Sequence, residues 1–173
     1  EQAGAEFTLA VRYPGWCHQM QVKVNGIPVS GAVKTDKGYW MIQRSWQPGD
    51  TVSCEMEMEP ERVYAHPMVR ADAGCVALRR GPIIYTFEGV DNGEDLQTLR
   101  IPREAKIEVL PYQADLLEGI VALRVTGCRK KTAVNPALYA EDAAPEEVVT
   151  LQAIPYYAWC NRGMTHMRVW MQE

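Results

Sequence analysis

The sequence lacks any apolar run approaching the roughly 20 residues that cross a bilayer, so no helical membrane span is expected among its 173 residues. Lysine and arginine never form a block longer than Arg129-Lys130-Lys131, and the net charge is −4. A phosphate-binding surface needs clustered cations, so nucleic acid is excluded as an expected partner. Histidine is scarce. His18, His66 and His166 stand far apart, with no HxH, HxxxH or HExxH spacing and hence no metal-ligand pattern. Five cysteines (Cys17, Cys54, Cys75, Cys128 and Cys160) show neither CxxC nor adjacent spacing. An odd count without a framework reads as reduced thiols, and a cytoplasmic location is the expectation. The opening Glu1-Gln2-Ala3-Gly4-Ala5-Glu6 has neither the basic start nor the apolar stretch of a signal peptide. No Walker loop, GxGxxG or GxSxG elbow occurs.

What the sequence does contain is period-two alternation. Hydrophobic residues make up 47% and charged residues 23%, enough for a packed core without wholesale disorder. Phe7, Leu9, Val11 and Tyr13 alternate with small and polar residues up to Pro14-Gly15. Met20, Val22 and Val24 alternate up to Asn25-Gly26, a strong hairpin signal. Further strands are expected over 39–44, 51–58, 62–69, 75–88 with a break at Gly81-Pro82, 106–110, 120–126, 148–159 and 167–172. Only 114–118 and 136–141 could form a helical turn. Short strands punctuated by Gly and Pro predict an all-β chain, an antiparallel, jelly-roll-like β-sandwich. It divides as two small sandwich units packed together, 1–70 and 71–173, or forms one compact domain. The second part would carry a turn-rich acidic stretch at 89–97 and a long loop at 127–147.

Three residue sets invite a chemical reading. Glu55, Glu57 and Glu59 alternate with Cys54, Met56 and Met58. In an extended strand, i and i+2 carboxylates lie about 6.5–7 Å apart on one face, near the separation in inverting glycosidases. A half-solvated strand shows the same pattern, and that simpler reading is preferred. The Cys17-His18 pair beside Pro14-Gly15 reads as a turn. Aromatic residues gather at Trp16, Tyr39, Trp40 and Trp46, and again at Tyr156, Tyr157, Trp159 and Trp170. Of these, Trp40, Trp46, Tyr157 and Trp159 are the candidates for contact with a sugar or with another domain. No catalytic residue and no metal ligand is expected in the chain.

The stretches Phe7 to Cys17, Val22 to Gly26, Gly38 to Asp50, Val76 to Tyr85, Ala153 to Gly163 and Met167 to Trp170 occur in a recognisable order. Together they resemble the C-terminal region of glycoside hydrolase family 127, the bacterial β-L-arabinofuranosidases and their relatives. The resemblance implies a parent with an N-terminal (α/α) barrel that carries the active site, followed by β-sandwich domains. It also implies a zinc-held cysteine nucleophile in that barrel, in a region of adjacent cysteines. This sequence has no adjacent cysteines, so none of those roles is carried to any position, and no cofactor is expected in this stretch. The strong strand at Phe7, six residues into the chain, fits a segment that follows an upstream domain. The expectation is a non-catalytic module that packs on the barrel or assembles the parent as a homodimer. The rival is a carbohydrate-binding sandwich that uses surface Trp and Tyr.

Overall fold

Alternation decides which side of each strand meets a core, and separate sets of strands enclose separate cores. A computed structural model describes residues 4–30, 33–34, 37–131 and 138–173. They divide into two compact units, Glu1–Glu59 and Pro60–Glu173.

The first unit contains β1 (Ala5–Arg12), β2 (Met20–Val24), β3 (Ile27–Pro28), β4 (Val33–Lys34), β5 (Tyr39–Trp46) and β6 (Val52–Met56). They form two three-stranded antiparallel sheets, β1-β5-β4 and β3-β2-β6. Met20, Val22 and Val24 of β2 are buried together with Ile42 and Trp46 of β5, as the period-two pattern requires. Each such side chain contributes roughly 1.5–3 kcal/mol by leaving water. The β2–β3 hairpin closes with Val24 opposite Ile27. Its two loop residues, Asn25 and Gly26, have φ of 52° and 80°, the left-handed pair that suits a type I′ turn and the Asn-Gly sequence. The Asn25 amide also donates to Asp50 Oδ1 at 2.7 Å and accepts from the Thr51 N–H at 2.9 Å, tying this hairpin to the β5–β6 turn.

The second unit contains β7 (Pro60–Val63), β8 (Cys75–Arg80), β9 (Ile83–Glu88), β10 (Leu99–Arg100), β11 (Ile107–Val109), β12 (Leu123–Lys130), β13 (Glu146–Pro155), β14 (Met167–Arg168) and β15 (Met171–Gln172). Pairing runs β14-β9-β13-β12-β10-β15-β8-β7, with β11 on β12. Because β9 also pairs with β8, the sequence of pairings returns on itself. It encloses Val76, Leu78, Tyr85, Phe87, Leu99, Leu123, Val125, Leu151, Ala153 and Met171. Among the named strands all pairings are antiparallel except β10–β15; the isolated bridge between Asn161 and Gly163 is also parallel. The all-β expectation therefore holds, with the second unit built as one sheet folded around its core.

Several boundaries differ from the sequence reading. The units divide between Glu59 and Pro60, not at 70/71, because Pro60–Val63 pairs with Ala77–Arg80 and so joins the second unit. The expected loop 127–147 loses both ends to the β12–β13 ladder, which pairs Gly127 with Val149 and Lys130 with Glu146; residues 132–137 within it lie outside the described set, as does part of the helical turn expected at 136–141. The 114–118 segment is a turn between the bridged residues Gln113 and Ile120, not a helix. Leu117 and Glu118 there have φ of 52° and 61°, an arrangement no right-handed turn allows. Strand β13 stops at Pro155, where a short 3-10 turn, Tyr156–Ala158, begins.

Candidate functional site

The outer face of β9 organises a buried cluster of polar side chains. Tyr85 and Phe87 point into the core, so alternation turns Ile84, Thr86 and Glu88 the other way. Such positions are usually solvated, yet Thr86 is 0% and Glu88 1% exposed. The segment after β13 covers them. The Thr86 hydroxyl donates to the Arg168 carbonyl at 3.0 Å. Glu88 Oε1 accepts the Cys160 N–H at 2.7 Å, and Oε2 accepts from Arg162 Nη2 at 2.5 Å. Arg162 also holds Asp91 through both nitrogens, Nη1–Oδ1 at 2.9 Å and Nη2–Oδ2 at 2.5 Å. A forked pair of this kind fixes orientation as well as charge. The hydrogen bonds that the guanidinium donates to Asp91 and to Glu88, in that order, push Arg162 above its usual range, against the opposing effect of burial.

Asn92 completes the cluster. Its amide donates to the Glu88 and Gln152 carbonyls at 2.9 Å and accepts the Gln152 N–H at 2.9 Å. In effect one side-chain amide pairs with β13 as a neighbouring strand would, satisfying an edge that β9 reaches only at Ile154 and Pro155. Gly89 is needed where the covering loop crosses: a Cβ there would lie 2.8 Å from Thr165 Oγ1. The chemistry of this arrangement is bracing. A carboxylate with no exposed surface, shared between a guanidinium and a backbone N–H, cannot reach a substrate.

Beyond Thr86 the covering stops. Ile84, Tyr156, Met167, Arg168, Val169 and Trp170 line an open groove of 570 Å³. Ile84 and Tyr156 are exposed, and the other four are half-buried.

The four aromatic candidates are placed in different settings. Trp46 is buried in the first unit, stacked on Phe7 with centroids 5.5 Å apart, and its indole N–H donates to the Phe7 carbonyl at 3.1 Å. It is a core residue; the flat face a sugar would need is covered by Phe7 on one side, with Arg44 5.1 Å from its centre. Trp40 is half-buried against the same core, 6.0 Å from the Tyr13 ring. Tyr157 is exposed and Trp159 half-buried, both in the covering segment of the second unit. Since two belong to each unit, neither unit presents all four as one platform. Glu55, Glu57 and Glu59 are exposed, with Glu55 held by Lys23 at 2.5 Å, the solvated-face arrangement. Sequence reasoning missed Glu88, Asp91, Asn92 and Arg162. Arg162 stood within a noted block, but no spacing links it to a glutamate 74 residues earlier.

The described residues contain no group of three or more His, Cys, Asp or Glu side chains able to hold a metal. The cysteines occur singly, so they do not fit the zinc-thiolate arrangement that the resemblance implies for a family member's barrel.

Residues 60–172 match the glycoside hydrolase family 127 C-terminal domain, and residues 1–58 match the family's β-L-arabinofuranosidase middle domain. The chain belongs to glycoside hydrolase family 127. The two matches divide where the two structural units of this family 127 chain divide. A non-reducing end β-L-arabinofuranosidase of Bifidobacterium longum is 34% identical over 171 residues, which cover 94% of the family 127 chain and 25% of that protein. The crystal structure of a family 127 β-L-arabinofuranosidase from Geobacillus stearothermophilus T6 superposes with a TM-score of 0.92 at 46% identity, covering 99% of this chain and 27% of that one. Another family 127 β-arabinofuranosidase structure gives 0.83 at 32% identity, covering 99% and 28%. The family 127 chain thus spans about a quarter of the length of these relatives.

Proposed function

We propose that these residues form the non-catalytic middle and C-terminal sandwich region of a β-L-arabinofuranosidase-like glycoside hydrolase, and that they buttress an (α/α)-barrel catalytic domain. The observation that carries this reading is coverage: relatives bearing the enzyme's name are matched end to end by this chain over only 25–28% of their length. The internal chemistry supports it. Among the described residues the one deeply buried carboxylate, Glu88, is engaged by Arg162 and the Cys160 N–H, and the exposed Glu55 is engaged by Lys23. The five cysteines, none in a disulfide, fit a cytoplasmic parent. No helix among the described residues is long and apolar enough to cross a membrane.

The reading is tested by deleting this region from the full-length protein that contains it. The expected result is a catalytic portion that aggregates or melts at lower temperature, with its arabinofuranosidase activity lost in parallel. A truncated protein with unchanged melting temperature and activity would remove the buttressing role.

A further inference from the structure

Beside β9 a strand face that the chain's own segment covers at Thr86 and Glu88 is left open at Ile84. Its walls are preformed. Met167 and Arg168 are paired with Glu88 and Phe87 of β9, and the Thr86 hydroxyl bonds the Arg168 carbonyl. Tyr156 and Trp170 supply flat apolar surface, and Met167 and Val169 line the groove with them. Arg168 on the lining is a cation without a hydrogen-bonded or ionic side-chain partner among the described residues. Arg62, Arg79, Arg100, Arg103 and Arg162 all have such partners. Covering Arg168 without a carboxylate would be costly, so whatever fills the groove should bring one.

We infer that the groove receives an apolar segment, carrying a carboxylate opposite Arg168, from the remainder of the same family 127 polypeptide. This rests on the proposed accessory role. The groove is lined by Ile84, Tyr156, Met167, Arg168, Val169 and Trp170 alone, whereas a stable interface between free molecules takes roughly 20–30 residues a side. A tethered segment escapes most of the entropy loss of association, so a small groove suffices for it. Relatives about four times the length of this chain contain ample sequence to supply that segment.

The test is hydroxyl-radical footprinting of the full-length polypeptide and of the 173-residue chain, followed by photo-crosslinking. Oxidation of Tyr156, Met167 and Trp170 should fall several-fold in the full-length protein, while that of Tyr112, which is exposed and outside the groove, stays the same. A benzoylphenylalanine in place of Ile84 in the full-length protein should crosslink within one polypeptide, to a peptide outside these 173 residues. An Arg168→Glu substitution should restore much of the labelling of Trp170. Equal labelling of the groove in both proteins would overturn the inference. So would a crosslink joining two copies, which would assign the groove to self-association. An active full-length enzyme with an open groove would defeat the docking inference alone. Turnover by the 173-residue chain would instead defeat the accessory reading beneath it.

Discussion

The Glu88 carboxylate and the Arg162 guanidinium, 74 residues apart in sequence, meet at 2.5 Å with the glutamate side chain wholly buried and the arginine 19% exposed. This contact clamps the segment after β13 onto β9. Removing one partner leaves the other charge buried, which costs about 3–5 kcal/mol in buried pairs. Arg162→Ala should therefore lower the urea midpoint of the second unit's unfolding by most of its stability margin. The double variant Glu88→Gln, Arg162→Met should be less destabilised than Arg162→Ala alone. Equal midpoints for Arg162→Ala and the wild type would show that the pair adds nothing.

Asn92 offers a sharper electrostatic test. Its amide faces two carbonyl oxygens and one N–H. Asn92→Asp keeps the shape but sets a carboxylate against both carbonyls, so the folded state raises that group's pKa. The variant's stability should approach the wild type at low pH, where the acid is protonated and can donate. It should fall as pH rises above the ordinary aspartate range. Chemical denaturation at pH 4 and pH 8 reads this directly, and a pH-independent deficit would contradict it.

Acid should weaken both units. In the first, Asp50 is held below its ordinary 3.8 by the Gln47 N–H, the Asn25 amide and the nearby Arg44. In the second, burial raises Glu173, but the Arg103 and Tyr64 hydrogen bonds and the Arg103 and Arg62 charges outweigh it, leaving the group below 4.5. A depressed carboxylate adds stability above its unfolded pKa and loses it as pH falls through the folded value. Melting temperatures should thus be flat above about pH 5 and drop below about pH 4. Glu173→Gln should flatten the acid limb of the second unit's transition and lower its neutral-pH plateau. An unchanged acid limb would show that Glu173 does not contribute.

Sugar binding by the aromatic candidates is expected to be absent in the first unit, where Phe7 covers Trp46. Calorimetric titration with arabinose-containing oligosaccharides at millimolar concentration should give no heat. Heat that disappears in Trp40→Ala would establish a sugar subsite there instead.

The strands were legible because alternation and turn chemistry are local: Asn25-Gly26 marked a hairpin and Gly81-Pro82 a break, and each falls between paired strands. The unit boundary was not, because Pro60–Val63 is assigned by its partner β8 rather than by its own pattern. Trp46 read as a surface candidate because a tryptophan in a strand looks the same whether its neighbour is water or Phe7. The Glu88 cluster was illegible for a related reason. Glu88 sits at a position where a strand is normally solvated, and only the fold brings the Cys160–Arg162 segment over it.

Whether these residues support a glycosidase without performing its chemistry is decided by an assay on an aryl β-L-arabinofuranoside. The full-length protein and the purified 173-residue chain should be compared at equal molar concentration. The full-length protein should turn the substrate over, and the chain should show no turnover above background. Turnover by the chain that is abolished in Glu57→Gln would contradict it.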